Sequence, residues 1–364
     1  MMPKLKSIDK IQFQNSLLNW FKKNKRSLPW REQAHWYPVF LSEIMLQQTQ
    51  VDQALPYYVK FIKRYPNIHA LSKATEQEVL SLWAGLGYYS RARNLLKTAR
   101  IIVTDYQAKF PRDIKQALML PGIGKYSASA ILSIVYNLPY AVVDGNVYRV
   151  MSRLFAVPDD IRLNKTQKSI QKISDQLLSN IDPGNYNEAI MELGAVICKK
   201  QNPDCIKCPV QTFCEAFKKN EQLRYPIKSA APSKRKITHH ALIIVNKEAY
   251  LFVQRPASGL LASFWEFPIL EMKKKDIKDE LLESELKKIY GIEGKVTLKG
   301  DVFRHQYSHI DLTYQPVIIK SNNKKIKYLN NYRASKWCTF EELNELPIHN
   351  AHLKLIEWFK NLSQ

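Results

Sequence analysis

The chain has 364 residues, 45% of them hydrophobic, with 55 Lys+Arg against 33 Asp+Glu and a formal net charge of +22. This composition excludes a disordered chain and suggests two domains; no apolar run approaches the roughly 20 residues of a membrane span, so no membrane partner is expected. The basic surplus points to a polyanion, most often nucleic acid, against the blander reading of a Lys-rich proteome.

The opening stretch MMPKLKSIDKIQF lacks a signal-peptide core, so a cytoplasmic location is expected. From residue 9 to about 220 the pattern is helical. Asp9 can cap a helix carrying Ile11, Phe13, Leu17, Leu18 and Phe21. TEQEVLSLWAGLG opens with a capping box, Thr75 to Glu78, and ends at Gly85 or Gly87. Further helices are expected over 90–105, 114–120, 125–136, 145–155, 165–180 and 186–198. Near 221–238 Pro, Ser, Ala and basic residues dominate, which reads as a linker. HHALIIVNKEAYLFVQR then reads as a hairpin, 276–290 as a helix, KVTLKGDVFRHQYSHIDLTYQPVII as strands and FEELNELPIHNAHLKLIEWFKNL as a closing helix. The expected fold class is multidomain: an all-α domain over 1–222, a linker over 223–236 and an α+β domain over 237–364.

LPGIGKYSASA, residues 120–130, lacks the third glycine of a dinucleotide fingerprint and the ending of a P-loop, and it follows a helix rather than a strand. A helix, a glycine turn and a second helix present backbone N–H groups to an anion at a helix N-terminus. A tight αα-hairpin without a ligand is the alternative.

Cys198, Cys205, Cys208 and Cys214 form C-x6-C-x2-C-x5-C. Four cysteines in one short loop of an intracellular chain point to a metal, and spacing alone leaves zinc and [4Fe–4S] both open. Lys199, Lys200 and Lys207 beside them face either phosphates or solvent. Cys338 reads as an ordinary buried residue.

Glu43 is a lone acid in the apolar and amide stretch FLSEIMLQQTQV. If that stretch is a helix, Phe40, Ile44, Gln47 and Gln48 surround it. An acid so placed has a raised pKa and can stay protonated near neutrality. The alternative is an exposed Glu near a helix start. Asp144 in VVDGNVYRV is a good N-cap, and a rigidly capping Asp is expected to be ionised. Two carboxylates in different environments suit glycosyl bond cleavage, where one protonates the leaving group and the other supports an oxocarbenium-like sugar. A base inside a duplex must first be extruded.

LPGIGKYSASAI followed by VVDGNVYRVMSRL resembles the helix-hairpin-helix module of base-excision DNA glycosylases. That resemblance implies that Gly122 and Gly124 grip a DNA phosphate. The cysteine spacing is similar to the iron–sulfur loop of the endonuclease III-like glycosylases, which implies a [4Fe–4S] cluster on the loop 198–214. LPWR, SEIMLQQTQV, GLGYYSRARNL, VVDGNVYRV and YNEAIMELGAVIC together resemble the MutY-type adenine DNA glycosylases. The resemblance implies double-stranded DNA with adenine opposite 8-oxoguanine or guanine as substrate, action at the nucleoid, and a monomer. It implies that Glu43 protonates adenine N7, that Asp144 stabilises the oxocarbenium or bonds to it, and that Tyr126 and Asn146 support the second step. Leu28, Trp30, Arg31, Val51 and Glu188 would line the adenine pocket. Gln48, Thr49, Leu86 and Tyr88 would contact the duplex, Gln48 and Tyr88 as wedges beside the opposite base. Related lyases carry a Schiff-base Lys where this chain has Tyr126, and an amine is needed for that covalent route. A monofunctional glycosylase is therefore expected, with a bifunctional pyrimidine glycosylase-lyase and a non-catalytic lesion binder as rivals.

GLLASFWEFP and KWCTFEELNEL resemble a Nudix-type fold, with Lys288 and Ile289 where a hydrolase would need its metal-binding Glu pair. Diphosphohydrolase activity is not expected. The family resemblance implies an 8-oxoguanine reading loop at Tyr307, Ser308 and His309, with Tyr307 in place of the usual Phe. A polar hairpin tip with Tyr307 packed beneath it is the alternative. Ile310 and Ser263 also depart from the family pattern.

Overall fold

The computed structural model describes residues 9–32, 35–230, 233–271, 277–307 and 309–362. The chain divides into two compact units, Met1–Ala74 with Arg93–Ala230, and Thr75–Ala92 with Ala231–Gln364.

The first unit is helical. It opens with α1 (Lys10–Asn24), α2 (Pro29–Glu32), α3 (Trp36–Leu46), α4 (Val51–Arg64) and α5 (Ile68–Ser72). After α6 (Glu76–Trp83) in the second unit, the chain continues through α7 (Ser90–Asp105), α8 (Ile114–Leu118), α9 (Lys125–Tyr136), α10 (Gly145–Leu154), α11 (Asn164–Leu177), α12 (Pro183–Val196) and α13 (Glu215–Lys218). Local chemistry sets the ends. The Asp9 carboxylate accepts from Ile11 N and Gln12 N. At α6 both halves of the Thr75–Glu78 capping box form. Phe13, Leu17 and Phe21 of α1 pack with Val147, Val150 and Met151 of α10 and with Tyr186, Ile190 and Leu193 of α12. Each such buried side chain contributes about 1.5–3 kcal/mol relative to exposure. α3 is buried all round, from Trp36 through Met45, as befits a helix apolar on nearly every face. Its one charged residue is Glu43.

The second unit is α+β. Its strands are β1 (Arg235–Asn246), β2 (Ala249–Gln254), β3 (Trp265–Glu266), β4 (Ile269–Glu271), β5 (Lys295–Lys299), β6 (Phe303–Gln306), β7 (Ile310–Lys320) and β8 (Ala334–Cys338). The sheet runs β3-β2-β1-β7-β5, with β1 and β2 forming the expected hairpin and β1 parallel to β7. Side-chain alternation along β1 splits the core in two. Ala241 and Ile243 face α15 (Asn350–Leu362), while Leu242 and Ile244 face α14 (Asp279–Tyr290). The segment after α6 is tied to the same unit. Asn350 Nδ2 donates to the Gly85 carbonyl at 3.3 Å, and the Tyr89 and Phe264 rings lie 4.0 Å apart.

Residues 225–230, expected within a linker, are bonded to the first unit instead. Ile161 N donates to the Ile227 carbonyl at 3.1 Å and Ser229 N to Asp160 Oδ2 at 2.9 Å. No helix among the described residues is long and apolar enough to cross a membrane.

Candidate active site

A cleft of about 700 Å³ opens in the helical unit, and Glu43, Tyr126, Asp144, Asn146 and Glu188 all line it. Glu43 is 6% exposed and one of its carboxyl oxygens, Oε2, is buried without a hydrogen-bond partner. Burial pushes its pKa up to about 7; a hydrogen bond with Tyr126 pulls it down, Asp144 and Glu188 raise it, and Arg31 lowers it. A neutral acid facing the cleft with an unengaged oxygen is equipped to give a proton to a bound base.

Asp144 caps α10, as its sequence position suggested. Its Oδ1 accepts from Val147 N at 2.7 Å and its Oδ2 from Asn146 Nδ2 at 3.0 Å. Burial raises its pKa by more than its hydrogen bonds to Val147 and Asn146 and the charge of Arg149 lower it. The carboxylate is thus held in place but poorly solvated, which strengthens its attraction for a cation. Asn146 Oδ1 accepts in turn from Arg149 Nη2 at 2.9 Å, and Gly194 lets this contact form. A Cβ there would lie 2.6 Å from Asn146 Cβ. Asn187 pins the preceding segment, donating to Ser133 Oγ and the Tyr140 carbonyl at 2.8 Å and accepting from Val142 N at 3.1 Å.

The far wall is an ion-pair array. Arg31 Nε donates to Glu188 Oε1 at 2.7 Å and its Nη2 to Glu192 Oε2 at 3.0 Å. Arg26 Nε and Nη2 donate to Glu192 at 2.7 and 3.1 Å. Leu28, Trp30, Thr49 and Val51 line the same cleft. Gln48 does not; it is exposed, past the end of α3, with φ +59°. Leu86 and Tyr88 belong to the second unit, Leu86 buried and Tyr88 44% exposed with φ +51°.

The glycine turn joins α8 to α9. Gly122 has φ +77°, and a Cβ there would lie 2.7 Å from Asn94 Cβ. Gly124 caps α9 without a side-chain bond, and space beside it is open. Its amide end suits an anion. Gln47, expected beside Glu43, clamps this turn by donating to the Gly122 carbonyl at 3.2 Å and Ser127 Oγ at 3.1 Å.

Cys198, Cys205, Cys208 and Cys214 are unbridged thiols. Arg153 ties their loop down, donating to Cys198 Sγ at 3.3 Å and the Lys199 carbonyl at 2.7 Å. Lys207 pairs with Asp204 at 2.9 Å.

In the second unit Tyr307 N donates to the Ile310 carbonyl at 2.8 Å, closing the β6–β7 turn. The Tyr307 ring packs against the core, 4.7 Å from His305, and its hydroxyl is buried without a partner. His309 is exposed, and Ser308 lies outside the described residues. Ile310 is a core residue, and Ser263 holds φ +59°, a conformation in which Gly fits more easily. Lys288 pairs with Glu285 at 3.5 Å, and Ile289 packs on the α14 side of the sheet.

Glu266, His349 and His352 gather three donor atoms within 4.8 Å. Phe267 N donates to His352 Nδ1 at 2.9 Å, which places the ring proton on Nε2. His349 Nε2 meets Glu266 Oε2 at 2.9 Å, and Arg255 Nη1 meets Oε1 at 2.7 Å. These four atoms are committed to hydrogen bonds and an ion pair, while His349 Nδ1 is buried without a partner.

Residues 41–177 match the family model of the HhH-GPD superfamily base excision DNA repair proteins, and residues 240–358 match the NUDIX domain. The adenine DNA glycosylase of Buchnera aphidicola subsp. Baizongia pistaciae is 34% identical over 336 residues, covering 88% of this chain and 92% of that protein. The mouse adenine DNA glycosylase is 32% identical, covering 98% of this chain and 79% of that one. Among solved structures, a thermostable thymine-DNA glycosylase superposes with TM-score 0.54 at 27% identity, covering 59% of this chain and all of that one. A trapped endonuclease III–DNA covalent intermediate, at 20% identity and TM-score 0.50, shares the fold over 58% of this chain.

Proposed function

From the premise that this chain belongs to the adenine DNA glycosylase family of base-excision repair, we propose that it removes adenine mispaired with 8-oxoguanine or guanine, and that it does so as a monofunctional enzyme. The chain is a DNA glycosylase, a hydrolase of N-glycosyl bonds, and DNA is its partner. The observation that carries the mechanism is Glu43, buried beside Tyr126 with its pKa pushed up to about 7.

An extruded adenine entering the cleft meets Glu43 while its carboxyl still holds a proton. Transfer to the base nitrogen turns adenine into a neutral leaving group, and the sugar gains positive charge as the bond breaks. Asp144, fixed by Val147 N and Asn146 Nδ2, faces that charge in a poorly solvated setting. It stabilises the cation or bonds to it until water arrives. Tyr126, with Oη 3.3 Å from Met191 Sδ and hydrogen-bonded to Glu43, occupies the position where a lyase would carry its lysine. An abasic site is the product. Gly122 and the amide end of α9 hold a backbone phosphate, and Tyr307, Ser308 and His309 read the opposite base.

The cysteine loop fits a [4Fe–4S] cluster. Burial pushes the Cys208 thiol up to about 12 and the Cys214 thiol up to about 11, so these sulfurs do not ionise by themselves and would be held as thiolates only by a bound metal centre. Cys198, Cys205, Cys208 and Cys214 would hold it, and it would brace the loop beside α10 and α12.

Single-turnover incubation with duplex containing adenine opposite 8-oxoguanine, scored with and without alkali, tests the proposal. Strand cleavage confined to the alkali-treated sample is expected. Removal of thymine or oxidised pyrimidine in place of adenine would sink the substrate assignment.

A further inference from the structure

Glu192 is 1% exposed and plays no part in the chemistry proposed above, yet it is the most heavily bonded carboxylate of the cleft. It accepts from Arg26 N at 3.2 Å, Arg26 Nε at 2.7 Å, Arg26 Nη2 at 3.1 Å and Arg31 Nη2 at 3.0 Å. Arg31 is divided three ways, since its Nε donates to Glu188 and its Nη1 to the Arg26 carbonyl at 3.1 Å. Two guanidinium groups and two carboxylates thus form an array of zero net charge along one wall of the cleft.

That balance matters because Arg31 and Glu188 both act on Glu43. The groups that face Glu43 are Tyr126 from α9, Asp144 at the start of α10, Glu188 from α12 and Arg31 from α2. Arg31 is the cation of this set, and an unbalanced cation near a buried carboxyl favours its ionised form. We propose that Glu192 is a positioning residue for base excision: it anchors Arg31 in the neutral array and so offsets part of that cation's pull on Glu43, keeping the acid loaded with its proton. Removing the Glu192 charge leaves the array at +1, and Glu43 gives up its proton at lower pH. Removing Arg26 leaves it at −1 and has the opposite effect. The inference rests on Glu43 being the acid.

Single-turnover excision of adenine is measured from about pH 5 to pH 9 for the parent chain, Glu192→Gln, Glu192→Asp, Arg26→Gln and the Arg26→Gln/Glu192→Gln pair. The parent rate is expected to fall through a midpoint near 7, where Glu43 loses its proton. Glu192→Gln should move that midpoint down by about half a pH unit or more, which costs about threefold or more in rate above it and little on the acid plateau. Glu192→Asp, which keeps the charge, should restore the midpoint. Arg26→Gln should move it up, and the charge-balanced pair should return toward the parent. A uniform loss of rate with an unmoved midpoint, or shifts of the same sign in both single variants, overturns the inference. Should Glu192→Gln fail to fold, the sign of the Arg26→Gln shift decides alone. Glu43→Gln separates the two levels. If it excises adenine at the parent rate the acid role itself falls, whereas an inactive Glu43→Gln with an unmoved Glu192→Gln profile removes Glu192 alone.

Discussion

Arg149 and Asn146 lie one helical turn apart on α10, and the arginine Nη2 donates to the asparagine Oδ1 at 2.9 Å. The same guanidinium donates through Nε to the Cys198 carbonyl at 2.7 Å and through Nη2 to the Gly194 carbonyl at 2.7 Å. The amide that steadies Asp144 is therefore itself steadied from the start of the cysteine loop. Replacing Arg149 by Met keeps the aliphatic stem and removes every donor. Loss of geometry on this scale costs on the order of a hundredfold in rate. Single-turnover excision should show that loss, while affinity for an abasic duplex changes little. A parent-like rate would show that Asn146 needs no such support.

Glu43 links activity to stability with a definite sign. Its folded pKa, about 7, lies above the ordinary value of 4.5. The native state therefore binds the extra proton between those values, and its stability declines as pH rises through 7. A displacement of this size corresponds to roughly 3 kcal/mol at pH 8. Glu43→Gln should abolish about two to four orders of magnitude of rate. It should also raise the unfolding temperature of the helical unit at pH 8 and leave it nearly unchanged at pH 4. Equal effects at both pH values would argue against a protonated Glu43.

Glu266 behaves oppositely. His349 and Arg255 hold its carboxyl at about 2, against burial that raises it. The stability it contributes is present above 4.5 and is lost as pH falls toward 2. His352, held well below 6.5 by burial first and by His349 next, adds to acid sensitivity because the unfolded chain takes up its proton more readily. Arg255→Met strands the buried carboxylate and should cost about 3–5 kcal/mol at neutral pH. Adding Glu266→Gln should recover most of it. Calorimetry on the full chain reads this in the transition of the second unit; an additive double variant would mean that the two residues are not coupled.

Tyr307 carries a buried hydroxyl with no partner. Desolvating such a group costs about 1–3 kcal/mol, so Tyr307→Phe should be neutral or stabilising. It should also leave the preference for 8-oxoguanine over guanine intact, since the hydroxyl faces the core. A drop in that preference, measured as a ratio of excision rates, would assign the hydroxyl to the lesion instead.

Local chemistry made much of this legible in advance. Asp9, the Thr75–Glu78 box, Asp144 and the glycine turn declare themselves within four residues, and two apolar runs around a polar turn announce the β1–β2 hairpin. The cleft was legible in part. Glu43 stood out as a single acid in an apolar run. Arg26 and Glu192 did not, because they meet across 166 residues and each looks like an ordinary surface charge by itself. The Gln47 clamp was hidden for the same reason, its partner lying 75 residues away. Tyr88 gave no sign that residues 75–92 group with the second unit, since membership of a unit is decided by packing rather than by periodicity.

α10 is ten residues long, about 15 Å as a rod. Asp144 caps its first turn, and Arg153 in its last turn grips Cys198 Sγ. One helix thus carries the Asp144 carboxylate at one end and a contact to the thiol loop at the other, so modification of the thiols is expected to disturb the carboxylate as well. Mild thiol oxidation should extinguish excision while the helical circular dichroism stays native, and excision that outlasts the thiols would show that the two ends are uncoupled.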